Sequence, residues 1–145
     1  MVTSKIGIDL IKKYEGCRLN AYLDSVKILT IGWGSIRYSK TGLPVKMGDS
    51  ITQAEADLEL IEDIKVFENA INAVVKQPIT QNQFDACVSL WFNCGGSNTI
   101  VKMINSKVPN PQIHSWWISH YVTAGGKLLK GLVRRRLEEA NLFIK

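Results

Sequence analysis

Glu15-Gly-Cys-Arg-Leu-Asn-Ala-Tyr-Leu-Asp24-Ser-Val-Lys-Ile-Leu-Thr30-Ile-Gly-Trp-Gly34 is the stretch that decides the architecture. It begins where a helical pattern ends. In residues 4–15, Ile6, Leu10, Ile11 and Tyr14 recur at helical spacing, with Ser4 as N-cap. After Glu15 the pattern changes to short β-type runs broken by turn residues. Thr30, Ile31 and Trp33 favour strand, Asp24-Ser25 reads as a turn, and glycines punctuate the run. Residues 18–38 are therefore predicted to form a small antiparallel sheet of two or three strands.

Beyond the sheet, residues 39–50 contain Gly and Pro breakers and read as loop. Thr52-Gln-Ala-Glu55 is a capping box, in which a hydroxyl accepts from an amide three residues on and the Glu side chain reaches back. It opens a long helix, about 52–76, with Ile61, Ile64, Phe67, Ile71 and Val74 as its apolar stripe. Acidic residues crowd its first half, and Pro78 is read as its terminator. Thr80-Gln-Asn-Gln83 is a second capping box. It opens a helix to about Cys94 that is apolar on most sides and so is predicted to be central and buried. Gly95-Gly96 stops it. Helices near 98–107 and 110–121, a break at Gly125-Gly126, and a last helix from about Leu128 to Ile144 complete the chain. This is an α+β plan.

The chain has 145 residues, of which 46% are hydrophobic and 21% charged, which excludes intrinsic disorder and collagen-like structure. Residues 1–145 are expected to form one domain. A mixed N-terminal lobe (about 15–60) and a helical lobe (about 61–145 plus the first helix) share the long helix, and two lobes on one helix leave a cleft for a ligand. No apolar run approaches the ~20 residues of a membrane-spanning helix. The N-terminal residues do not have the pattern of a secretory signal, so synthesis in the cytoplasm is expected.

The net charge of +5 points to an anionic partner without naming it. Three cysteines cannot form a complete disulfide set. Cys87 and Cys94 on one helix stand roughly 10 Å apart by helical rise, too far to bridge. The thiols are read as reduced and mostly buried. With only His114 and His120 as histidines, no zinc-ligand spacing is present, and no metal or cofactor is expected.

Glu15 is a carboxyl at a helix end, Asp24 a second at a strand turn, and Thr30 a hydroxyl on the next strand. Two carboxyls on separate rigid elements facing a cleft suit glycoside hydrolysis. One is protonated to donate to the leaving oxygen; the other is ionised to hold water or stabilise a cationic centre. On spacing alone, a helix end, a turn and a strand with no chemistry is the commoner reading.

The full string Glu-Gly-x-Arg-Leu-x-Ala-Tyr-x-Asp, five residues, Thr-Ile-Gly-x-Gly resembles the active-site signature of the phage-type lysozymes, the endolysins of the muramidase class of glycoside hydrolases. Lys46-Met-Gly-Asp-Ser-Ile-Thr-Gln-Ala-Glu-Ala-Asp57, Gln83-Phe-Asp-Ala-Cys-Val-Ser-Leu-Trp-Phe-Asn-Cys-Gly95, Ala124-Gly-Gly-Lys127 and Gly131-Leu-Val-Arg-Arg-Arg-Leu-Glu-Glu139 extend the resemblance, in order, over nearly the whole chain.

The resemblance implies a lysozyme-like fold, with a small sheet lobe and a larger helical lobe joined by a long helix. It implies cleavage of the β-1,4 bond between N-acetylmuramic acid and N-acetylglucosamine in peptidoglycan, for host cell lysis. Glu15 would be the general acid. Asp24 would position or activate water, and Thr30 would help to hold it, with inversion at the anomeric centre. Asn93 would touch the sugar, Trp33 is a cleft candidate, and Arg135 would pair with Glu15 and orient it. The partners implied are glycan strands and a holin that releases the protein to the wall; nucleic acid is not among them, and a monomer is expected. A transglycosylase outcome stays open, as does a binding or membrane-disrupting module on the same fold.

Two positions depart from the family pattern. Lys27 stands where the family often has Gly, so a turn requiring positive φ would be strained there. Ser35 stands where it often has His, and a difference in stability is expected. The run Lys127, Lys130, Arg134, Arg135, Arg136, interleaved with leucines, reads first as the solvated face of a core helix and second as a contact for anionic envelope polymers. Trp116-Trp117 reads as core for at least one ring, with a sugar platform as the alternative. His114 and His120 are assigned no chemistry.

Overall fold

The computed structural model describes residues 1–145. In chain order the elements are α1 (Lys5–Glu15), β1 (Arg18–Leu23), β2 (Leu29–Gly32), α2 (Gln53–Val74), α3 (Gln81–Cys94), α4 (Asn98–Asn105), α5 (Asn110–Trp117), β3 (Thr123–Ala124), β4 (Lys127–Leu128) and α6 (Lys130–Phe143). The class is α+β. The chain divides into two compact units, one of residues 15–66 and one of residues 1–14 with 67–145.

In the first unit, β1 and β2 pair antiparallel, with Tyr22 opposite Thr30 and Leu23 opposite Leu29. Between Arg18 and Tyr22 the register shifts, because β1 carries more residues than the strand facing it. The extra backbone groups do not go unpaired. Ala21 N–H donates to Asp49 O at 2.9 Å, and Leu19 O accepts from Ile51 N–H at 2.9 Å. Isolated bridges at Asn20–Ser50, Ile31–Ser35 and Arg37–Pro44 extend the sheet's pairing in place of a third strand.

The Thr52–Glu55 capping box forms as read. Thr52 N–H donates to Glu55 Oε2 at 2.8 Å, and Glu55 N–H donates to Thr52 Oγ1 at 3.1 Å. The apolar stripe of α2 differs from the expectation. Ala56, Leu60, Ile64 and Ile71 are buried, whereas Ile61 and Val74 are exposed. A carboxylate, Glu68, occupies the buried stripe and accepts from Thr3 N–H at 2.6 Å. Nor does Pro78 end the helix. Asn105 does so from α4: its amide donates to Val74 O at 3.0 Å and its Oδ1 accepts from Lys76 N–H at 2.7 Å.

The core of the second unit is α3, buried without interruption from Phe84 to Trp91. Its capping box, Thr80 with Gln83, forms as expected, and Gly95 at φ 77° closes its C-terminus. The buried Asp85 holds the start of α1, accepting from Ser4 N–H at 2.9 Å and from the Ser4 hydroxyl. Gly7 permits that approach, since a Cβ there would lie 2.9 Å from Asp85. Gly125-Gly126 is not a plain break. Both residues have positive φ, 56° and 75°, and they form the two-residue turn of the β3–β4 hairpin. Leu128 consequently belongs to β4, and α6 starts at Lys130.

The largest correction falls on α6. Arg135 and Arg136 are not on a solvated face; they are 3% and 0% exposed, while Leu128, Leu129 and Leu137 face water. Glu139, also fully buried, accounts for this inversion. It accepts from Arg135 Nε at 3.1 Å, Arg136 Nη2 at 2.9 Å, Ser89 Oγ at 2.7 Å and Trp117 Nε1 at 3.2 Å. A buried guanidinium is tolerated only when paired and hydrogen-bonded. Lys127, Lys130 and Arg134 are the exposed cations of the run.

Candidate active site

Glu15 is the last residue of α1 and is half-buried. Gly16, at φ 68°, turns the chain out of the helix into β1, a conformation that glycine adopts without strain.

Asp24 ends the β1–β2 hairpin arm. Its Oδ1 accepts two backbone N–H groups, from Val26 at 3.0 Å and Ile28 at 2.8 Å. Its own N–H donates to Ile28 O at 3.0 Å, and Lys27 N–H donates to Asp24 O at 3.0 Å. An Asp side chain folding its own turn in this way is an Asx-type arrangement. With Oδ1 doubly engaged, Oδ2 is the oxygen left to act on a ligand. The turn does require positive φ, because Lys27 sits at 63°. Glycine would hold that angle at no steric cost; lysine holds it because the hydrogen bonds around it over-determine the loop.

Thr30 is buried, opposite Tyr22 in the sheet, and its hydroxyl donates to Ile28 O at 3.0 Å. With its proton committed to that carbonyl, Oγ1 has only lone pairs to offer a water. The structure thus brings Asp24 and Thr30 onto one carbonyl. Glu15, Asp24, Thr30 and Trp33 all belong to the unit of residues 15–66, whereas Asn93 and Arg135 belong to the other.

Trp33 is half-buried, and its indole N–H donates to Asp57 Oδ1 at 2.7 Å. Gln53 donates to the same oxygen at 3.1 Å and contacts Cys17 Sγ at 3.7 Å. The first turns of α2 therefore tie the residue three beyond Thr30 to the residue two beyond Glu15. Sequence reading missed Gln53 and Asp57; the only local sign was a polar pair one helical turn apart on the face toward the strands. Ser35, 2% exposed, donates to Asp63 Oδ2 at 2.6 Å. Burial raises the Asp63 carboxyl above its ordinary range, with neighbouring Glu59 and Glu62 adding to the effect and the Ser35 bond opposing it.

In the other unit, Asn93 is exposed, its Oδ1 3.5 Å from Cys94 Sγ. Arg135 bonds Glu139 and Ser89 O, and its guanidinium lies 5.6 Å from the Tyr14 ring centre. Burial, reinforced by a hydrogen bond to Glu138, pushes the Tyr14 hydroxyl up to about 12. Trp117 is fully buried, as expected of one of the pair. Trp116 is half-buried and stacks on His120 with ring centres 3.9 Å apart. His114 Nε2 meets Asn141 Oδ1 at 2.8 Å. All three cysteines are free thiols; Cys87 is buried, Cys17 and Cys94 half-buried, and burial pushes the Cys87 thiol far up. A cavity of ≈580 Å³ lies between the 38–43 loop and α2 but holds none of Glu15, Asp24 and Thr30.

A six-helix α+β chain with a short hairpin carrying Asp24 and Thr30 after a helix ending in Glu15 defines a lysozyme-like protein. The family model for phage lysozyme matches residues 12–139, and the chain belongs to that family. It is 42% identical over 149 residues to the endolysin of Lactococcus phage c2, covering 100% of this chain and 61% of that protein. It therefore spans about three-fifths of the length of that curated relative. An endolysin from Escherichia coli O157:H7 phage FAHEc1 superposes with a TM-score of 0.84 at 41% identity, covering 100% of this chain and 94% of that one. The muramidase domain of SpmX from Asticaccaulis excentricus gives 0.84 at 30% identity, covering 98% and 97%.

Proposed function

We propose that the protein is an endolysin-type lysozyme that hydrolyses the β-1,4 bond between N-acetylmuramic acid and N-acetylglucosamine in peptidoglycan. The observation that carries the reading is the shared Ile28 carbonyl, which orients Asp24 and Thr30 together. A water that donates to Asp24 Oδ2 and to Thr30 Oγ1 has both protons engaged and a lone pair turned outward. That is the state a nucleophilic water needs at an anomeric carbon, and it fits inversion. Glu15 supplies the proton to the leaving oxygen. Asn93 and Trp33 are proposed as substrate-side contacts, and Arg135, buried and bonded to Glu139 and Ser89 O, as a positioning residue. The Trp33 indole N–H is held by Asp57, which fixes the orientation of the ring.

The proposed target is the glycan strand of the wall, reached through the pore of a separate holin. No helix is long and apolar enough to cross a membrane. Expression alone in a Gram-negative host tests that route: lysis only after chloroform or holin co-expression is expected, and rapid lysis without either would end it. Membrane disruption by a basic C-terminal helix is the weaker reading, because Arg135 and Arg136 are buried and paired.

Glu15→Gln tests the enzymatic reading. The amide keeps the shape and cannot donate the proton, so clearing of outer-membrane-stripped cells should fall by at least ~10²-fold with circular dichroism unchanged. Clearing within a few-fold of wild type would remove Glu15 from the reaction.

A further inference from the structure

Within the unit of residues 1–14 and 67–145, a cavity of ≈380 Å³ opens between the end of α2, the Gly95-Gly96 turn and the first residues of α4. No charged side chain lines it. Trp91 does, and Trp91 is only 5% exposed. Its indole N–H donates to no acceptor in the protein, unlike Trp33, which donates to Asp57, and Trp117, which donates to Glu139. The ring is buried but the Nε1 atom reaches the cavity surface, where solvent or a ligand supplies the acceptor that the protein does not. The N–H edge faces Gly96: a Cβ on that residue would lie 3.1 Å from Trp91 Nε1. Glycine at this position, at φ 127°, keeps the donor uncovered on the cavity side.

A second set of donors converges there. Ser97 caps α4, its Oγ accepting from Ile100 N–H at 3.2 Å and from the Tyr121 hydroxyl at 3.1 Å. The N–H groups of Asn98 and Thr99, first and second in the helix, have no intrahelical acceptor and belong to residues of the cavity wall. The helix N-terminus adds a partial positive charge. Donors from an indole and a helix start, with no anion among them, match a group that is acceptor-only and negative.

We infer that this cavity is a subsite for a carboxylate, that of the peptide stem carried by the wall glycan. The choice of the stem as its source rests on the function proposed above; the carboxylate chemistry does not. Trp91 Nε1–H takes one oxygen and the α4 amides the other.

The test is a titration of the full chain, ¹⁵N-labelled at tryptophan, followed at the indole N–H resonances. The probe is N-acetylmuramyl-L-alanyl-D-isoglutamine, which carries a single carboxylate. A saturable shift of Trp91 is expected, with Trp117, buried and bonded to Glu139, as the internal reference. The same compound with its carboxylate amidated should bind about tenfold more weakly, the loss expected for one charge-assisted hydrogen bond. Asn98→Pro removes one α4 donor. Proline is tolerated at the first helical position, and Ser97 at φ −146°, ψ 102° suits a residue before proline, so the variant should fold. It too should weaken binding about tenfold.

No shift at Trp91, or equal binding of the acid and its amide, or undiminished binding by folded Asn98→Pro, would overturn the subsite. Sodium acetate binding as tightly as the muramyl peptide would overturn the stem as its source. Wild-type protein that binds the probe but clears no walls would sink the proposed function and leave the subsite standing. Wall clearing without a Trp91 shift would do the reverse.

Discussion

Asp24 and Thr30 share one hydrogen-bond acceptor: Ile28 O receives the Asp24 N–H at 3.0 Å and the Thr30 hydroxyl at 3.0 Å. The geometry of both residues consequently depends on the five-residue loop that presents this carbonyl. The side chain of Asp24 builds that loop, and Lys27 strains it.

Lys27→Gly should therefore stabilise the fold. A non-glycine residue in the left-handed region costs roughly 1–2 kcal/mol, and glycine's greater freedom in the unfolded chain returns part of that gain. A net gain of about 0.5–1 kcal/mol in urea unfolding is expected, with wall clearing within about twofold of wild type. A destabilised glycine variant would mean that the lysine side chain supports the loop in a way its backbone angle does not reveal.

Thr30→Val and Thr30→Ser separate the hydroxyl from the shape. Valine keeps the volume and leaves Ile28 O with one donor fewer. The loss in stability should be about 1 kcal/mol, since the Asp24 N–H remains. Activity should fall far more than this, about tenfold or beyond, because both the water contact and the loop geometry suffer. Serine should restore most of it. Equal activity of the valine variant and wild type would remove the hydroxyl from the reaction.

The α3 capping box and its buried centre were legible because their signals are local: Thr80 and Gln83 are three residues apart, and Phe84–Trp91 is apolar on nearly every side. The positions of Glu15 and Asp24, at a helix end and a strand turn, were legible for the same reason. The α2 stripe misled at Ile61 and Val74 because a carboxylate, Glu68, took a buried place. Its partner is Thr3 N–H, 65 residues away. The arginines of α6 misled in the same manner. Burial of Arg135 depends on Ser89 and on Glu139, which is in turn bonded to Trp117, and no periodicity announces those partners. The Gly125-Gly126 hairpin is different. A two-glycine turn is a local signal for a hairpin, and reading it only as a break left information unused.

Glu139 is predicted to be the most costly single site of the helical unit. Ser89 donates to Oε1 and Trp117 to Oε2, so Glu139→Gln keeps an oxygen for only one of them and turns an NH2 toward the other, and it removes the negative charge that Arg135 and Arg136 share. Breaking a buried pair from one side typically costs about 3–5 kcal/mol. Urea unfolding should show a loss of that order. Arg136→Met combined with Glu139→Gln should lose less than the sum of the two single changes, because the residues share one network. Additive losses would mean that the pair is not coupled.

Asp63→Asn is expected to stabilise the protein at neutral pH. Burial, together with Glu59 and Glu62, raises the Asp63 carboxyl in the folded state above its ordinary value of 3.8, so the folded protein holds that proton more tightly than the unfolded chain. The resulting contribution is fully present below about 3.8 and is lost as pH rises through the folded-state value, above which the ionised carboxylate is buried at a cost. Asparagine removes the charge and retains an oxygen for the Ser35 hydroxyl. Asp49 behaves in the opposite sense: the Lys46 backbone N–H and the Tyr38 hydroxyl hold its carboxyl down, so its contribution is lost on acidification. Whole-protein acid unfolding mixes the two effects, whereas the difference between wild type and Asp63→Asn isolates one. That difference, from urea unfolding between pH 4 and pH 7.5, should favour the variant most at the upper end and shrink toward pH 4. A variant less stable than wild type at pH 7, or a difference that ignores pH, would show that the Ser35–Asp63 bond outweighs the burial of the charge.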